Sequence, residues 1–193
     1  MGKNIIDNKN KVITEEEIKD ADLFEISDNI TYNDQFLGVY KNISVRISEI
    51  DCQNSFHGIV ISMNIIKKLN STTIVSNTSI KKDNPLADSP LVTKSEKSFK
   101  VYSTNPKSAK HLFSRTAIED FKKLQQRFSG KSISCIAKNN NLFIAISTYK
   151  ELCSIANLNI PITNLKQYDV ILEKFISIFE IIEELKLYEN TGL

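Results

Sequence analysis

Residues 132–147, SISCIAKNNNLFIAIS, constrain the fold more than any other stretch of this chain. Two runs of alternating apolar residues flank Asn139-Asn140-Asn141, and asparagine tolerates the left-handed backbone that tight turns require. Strand side chains alternate, so Ile133, Cys135 and Ala137 share one face of the first arm, and Leu142, Ile144 and Ile146 share one face of the second. The stretch reads as an antiparallel β-hairpin. Its surroundings read as material that covers a sheet.

Period-two patterning recurs upstream. Phe36, Gly38 and Tyr40 alternate, Lys41-Asn42 turns, and Ile43, Val45 and Ile47 alternate again. Further strands are expected over 56–65, over the β-branched run 71–78 and over 98–103. Between the last two, residues 81–90 (KKDNPLADSP) hold two prolines and no periodicity and read as a loop. Helices bracket these strands. Thr14-x-x-Glu17 has capping-box spacing and opens a short helix over about 15–23. Asn105-Pro106 reads as an N-cap followed by proline at the first helical position, and Thr116-x-x-Glu119 as a second capping box that restarts the helix. Ile118, Phe121, Leu124 and Phe128 stripe that second piece, and Ser129-Gly130 ends it. After a connection over 158–163 containing Pro161, a long amphipathic helix is expected over about 165–188, with Tyr168, Leu172, Phe175, Phe179, Ile182 and Leu185 on one face.

The expected fold is therefore α+β: a mainly antiparallel sheet of about seven strands, a broken helix after strand five, and a C-terminal amphipathic helix packed on the sheet. Seven strands and a terminal helix could also close into a pleckstrin-homology-like half barrel. The domain plan is an N-terminal arm with a short helix over 1–29 and one α+β domain over 30–190.

A chain of 193 residues buries enough surface to need no metal or disulfide staple. Cys52, Cys135 and Cys153 are odd in number, far apart and without a CxxC, which points to a reducing compartment and to neither a disulfide framework nor a zinc site. The N-terminal stretch MGKNIIDNKNKVITEEE is too polar for a signal peptide, and no run approaches the roughly 18 apolar residues of a membrane span. A soluble cytoplasmic chain is expected, with association at the inner face of a membrane as a further option. Charge is unevenly spread. Residues 1–60 carry 6 basic and 11 acidic side chains, residues 61–138 carry 15 and 5, and residues 139–193 carry 4 and 7.

Several landmarks resemble a bacterial family, domain of unknown function family 3137. They are Phe36-x-Gly38-x-Tyr40, Phe56-His57-Gly58, Phe99-x-Val101-Tyr102-Ser103, Ala109 with Leu112 and Thr116, Asn141–Ile146, and a last helix over 181–187 ending Leu-x-Leu. The resemblance spans about residues 30–188. Family members often have Thr-Pro where this chain has Thr116-Ala117, and an aromatic where Ser95 stands. They also commonly carry membrane-spanning segments upstream, which this sequence does not show, so membrane anchoring of the family's kind is not expected here. The family implies no activity, cofactor or catalytic residue.

Candidate chemistry is thin. Cys52 and His57 lie five residues apart near Glu49 and Asp51, so a Cys-His nucleophile pair is conceivable, against the plainer reading of His57 as a structural residue. His111 is expected on a solvated helix face. No phosphate-binding glycine loop, HExxH or EF-hand loop occurs. Lys107, Lys110, Arg115, Lys122, Lys123 and Arg127 on the broken helix raise nucleic-acid binding, but Phe113, Phe121 and Phe128 fall on its apolar stripe and not beside the charge. Lys67, Lys68, Lys81 and Lys82 flank the fourth strand and could contact an anionic surface. The leading expectation is a non-catalytic binding module for a protein partner or an anionic membrane, with no cofactor and no small-molecule ligand. Nucleic-acid binding through 61–138 and an enzyme using Cys52 and His57 are the alternatives.

Overall fold

The computed structural model describes residues 13–26, 29–53, 55–88, 91–93, 98–152 and 166–190. Cys153 and the expected connection over 158–163 lie outside them. Helix α1 (Glu15–Ala21) precedes strands β1 (Thr31–Tyr40), β2 (Ile43–Asp51), β3 (His57–Asn64), β4 (Thr73–Ser76), β5 (Leu91–Thr93) and β6 (Lys100–Ser103). Helices α2 (Pro106–Leu112) and α3 (Arg115–Arg127), strands β7 (Ser132–Lys138) and β8 (Asn141–Ser147), and helix α4 (Lys166–Glu184) follow. The fold is α+β.

All eight strands join one antiparallel sheet in the order β1-β2-β3-β8-β7-β4-β6-β5. Among the described residues the sheet is open, with β1 and β5 as its edges, and no pairing closes it into a half barrel. β5 is the strand beyond the expected seven: three residues after the proline-rich loop are too few to show a period. The hairpin β7–β8 sits at the centre, between β3 and β4, which sequence order alone would have paired. The crossover from β3 to β4 passes over the hairpin's turn, where Ile65 N–H donates to the Asn140 carbonyl at 2.8 Å and Leu69 N–H to that of Asn139 at 3.2 Å.

A central hairpin must be apolar on both faces. Ile133, Cys135, Ala137, Leu142, Ile144 and Ile146 face one core with Ile43, Val45, Ile47, Ile59 and Ile61, beneath α2, α3 and α4. Ile136, Phe143 and Ala145 face a second core with Val60, Ile74, Ile13, Ile18 and Ala21, beneath α1 and the arm that follows it. α1 is clamped there by its capping box and by Arg46 of β2, which holds Glu17.

The helix after β6 is broken as expected, but its restart is capped by Ser114 and not by Thr116. Ser114 Oγ accepts from Ala117 N–H at 3.0 Å and donates to Glu184 Oε1 at 2.9 Å, tying α3 to α4. α4 ends in a left-handed residue, Lys186 at φ 50°, with Leu187 N–H on the Ile182 carbonyl and Lys186 N–H on that of Glu183. That is a Schellman termination, and it shortens the expected helix by one turn.

Candidate functional site

The structure does not assemble the Cys-His pair. Cys52 is buried in the second-face core with Phe56 and Ile50, and burial pushes its thiol pKa up. His57 lies opposite Asp51 on the other parity of the ladder, half-buried, and its Nδ1–H donates to the Thr148 carbonyl at 2.7 Å. A hydrogen-bonded ring fixed to main chain, with the thiol sunk in the opposite core, is an arrangement for packing. Cys135 is fully buried and its thiol pKa is raised well above the usual value by desolvation. Among the described residues no group of three His, Cys, Asp or Glu side chains could hold a metal ion.

The four lysines do not form a common surface. Lys67 is 6% exposed and its Nζ donates to the Leu185 carbonyl at 3.2 Å, capping the end of α4. It is therefore corrected from a surface contact to a structural donor, the apolar crossover having carried it under the helix end. Lys81 is held by Asp22 at 2.6 Å and lies 3.7 Å from Glu25. Lys68 and Lys82 are exposed. On the broken helix, Phe113, Phe121 and Phe128 are buried, as their stripe predicted, and His111 is exposed. Arg115 pairs with Glu119, Lys123 with Asp120 and Arg127 with Glu173, so part of the basic charge is neutralised where it stands.

Exposed apolar surface gathers elsewhere. β1 is an edge strand of ten residues, and Leu37 (44% exposed) and Val39 (72%) stand on its second-face side. On its first-face side, Phe36 meets Phe175 edge-on at 5.5 Å and Tyr40 stacks on Phe179 at 4.4 Å. α4 then adds exposed Leu172 (56%) and Ile176 (44%), neighbours of Phe175 and Phe179. Glu183 fixes the junction: Tyr40 Oη donates to it at 2.8 Å and Lys41 Nζ at 2.7 Å. Those donors hold its carboxyl below the usual carboxylate range.

Beside Leu37 and Val39 the sheet forms an open trough of about 600 Å³, lined also by Thr14, Glu17, Ser44, Arg46, Asn64 and Asn141. From Gln35 to Tyr40 the edge carries no charge and no proline, two of the devices that blunt edge strands, and the bulge in β1 lies before this stretch, between Tyr32 and Gln35. The sequence held this signal: β1 is apolar at both parities, Phe36 and Tyr40 on one and Leu37 and Val39 on the other.

The profile of the family described as protein of unknown function (DUF3137) matches residues 54–187, more than half of the chain. The chain belongs to that family. No curated protein matches it. The crystal structure of the mycobacterial trehalose monomycolate transport factor A, TtfA, is similar, with a TM-score of 0.50 at 16% identity over 81% of this chain and 75% of that one. At that identity the likeness is one of fold. The DUF3137 match opens just ahead of β3, so the exposed edge strand β1 and the helix α1 lie outside it while α4 lies within.

Proposed function

We propose that this DUF3137 chain is a non-catalytic binding module whose β1 edge receives an extended segment of a protein. The observation that carries the reading is the uncharged edge Gln35–Tyr40 with exposed Leu37, Val39, Leu172 and Ile176 beside it. An added strand gains main-chain hydrogen bonds along the edge, while alternate side chains reach the apolar surface on either side. The edge geometry is definite. Lys41 and Asn42 both have positive φ, as a two-residue type I′ hairpin requires, so Tyr40 and Ile43 close the ladder as a hydrogen-bonded pair. Counting back, the main-chain groups of Gln35, Leu37 and Val39 point outward.

An anionic membrane surface is the second reading, and the engagement of Lys67 and Lys81 weighs against it. Among the described residues no helix is long and apolar enough to cross a membrane. We place the module in the reducing cytoplasm, which suits thiols at Cys52 and Cys135.

Peptides of alternating apolar residues, titrated while amide exchange is followed, test the reading. Protection of the Leu37 and Val39 amides is expected, and its loss in Val39→Pro, which deletes an outward N–H and no bond to β2. Salt-sensitive flotation with anionic liposomes that Val39→Pro leaves intact, with no peptide protection, would overturn the reading in favour of the membrane.

A further inference from the structure

We infer that the segment received at the β1 edge is β1 of a second copy of this chain, joined antiparallel across a two-fold axis at Gly38. The inference rests on the binding-module reading and names its partner. A closed dimer needs a patch complementary to itself, and three observations give β1 that property.

The first is hydrogen-bond parity. Along Gln35–Tyr40, on the hairpin side of the bulge after Tyr32, the outward groups belong to Gln35, Leu37 and Val39, so an antiparallel copy paired over this stretch must place odd residues against odd ones. The axis at Gly38 meets this by setting Leu37 against Val39 of the other copy, twice, and Gly38 against Gly38.

The second is chemistry. In that register apolar meets apolar on both faces, since Phe36 comes opposite Tyr40 while Leu37 comes opposite Val39. Moving the axis to Leu37 would set Gln35 against Val39 and strand an apolar side chain. Like charges do not meet either, because Asp34 falls near Asn42 and Lys41 near Gln35.

The third is space. Facing residues of a non-hydrogen-bonded pair approach to about 4.5 Å between Cα atoms. A Cβ built on Gly38 meets nothing within 4 Å, so the axis position is clear on the face where Phe36 and Tyr40 lean on α4. Leu172 and Ile176, neighbours of Phe175 on α4, extend the apolar surface on that face.

Sedimentation velocity of the purified chain over a micromolar concentration series tests this, with Val39→Asp, Val39→Pro and Gly38→Cys alongside. A dimer is expected for the parent and a monomer of unchanged far-ultraviolet circular dichroism for both Val39 variants. Gly38→Cys, under mild oxidation, is expected to give a covalent dimer that the parent does not. A parent that stays monomeric, a dimer indifferent to both Val39 variants, or a Gly38→Cys chain that fails to cross-link would each overturn the proposal. If the chain is monomeric yet its β1 amides are protected by peptides, only the second copy falls. If neither is seen, the binding reading falls with it.

Discussion

Gly58, in β3, faces the main chain of β8 so closely that a Cβ there would stand 2.0 Å from the Ile146 carbonyl oxygen. Backbone cannot swing aside as a side-chain tip can, so Gly58→Ala is expected to cost roughly 2 kcal/mol or more, read as a lowered urea midpoint. That explains the glycine of the Phe56-His57-Gly58 landmark in terms of sheet packing, with no chemistry needed. Lys67 makes the opposite lesson. Its position beside Lys68 gave no sign of which lysine would be buried, because the carbonyl it caps belongs to Leu185, far along the chain. Lys67→Ala is expected to cost about 1–2 kcal/mol through the lost donor and stem packing, and Lys68→Ala almost nothing, by the same denaturation measurement. Replacing all four lysines together would confound stability with surface charge; Lys68 and Lys82 alone test the surface.

Among the elements, those stating a strong local period were legible: the β7–β8 hairpin, the β1–β2 hairpin, α3 and α4 all form where their patterns put them, though α4 stops one turn short and Leu172, on its expected covering face, is exposed. β5 escaped because three residues carry no period, and the insertion of β7–β8 between β3 and β4 escaped because strand order is set by which faces need burying, not by local turns. α1 shows a local signal and a distant contact acting together. Burial alone would raise the Glu17 carboxyl, but Arg46 and the Thr14 N–H, at 2.9 Å, outweigh it and leave the pKa lowered. A lowered carboxyl contributes stability that is present above its unfolded value and lost as pH falls through its folded one. Glu17→Gln is therefore expected to cost about 1 kcal/mol at neutral pH and to flatten the acid limb of the stability profile, seen in urea midpoints of both chains across the acid range.

At the scale of the whole molecule, the family match and the folding unit do not coincide. The match begins at residue 54, but Ile43, Val45 and Ile47 of β2 lie in the core beneath α4, and Ile13, Ile18 and Ala21 lie in the core on the other side of the sheet. A sheet covered on both faces needs both covers. Removing residues 1–29 would bare Val60, Ile74, Ile136, Phe143 and Ala145, in the middle of the sheet. Two fully buried isoleucines, at about 2 kcal/mol each, set the scale of the loss at about 4 kcal/mol. The chain begun at residue 30 is expected to unfold at a much lower urea concentration than the full chain and to bind a dye that reports exposed apolar surface. The β1–β2 hairpin and α4 would keep their mutual contacts through Phe36, Tyr40 and Glu183, so the edge at Gln35–Tyr40 should survive the truncation. A truncated chain as stable as the parent would mean that the second-face core contributes little and that the sheet is held from the α4 side alone.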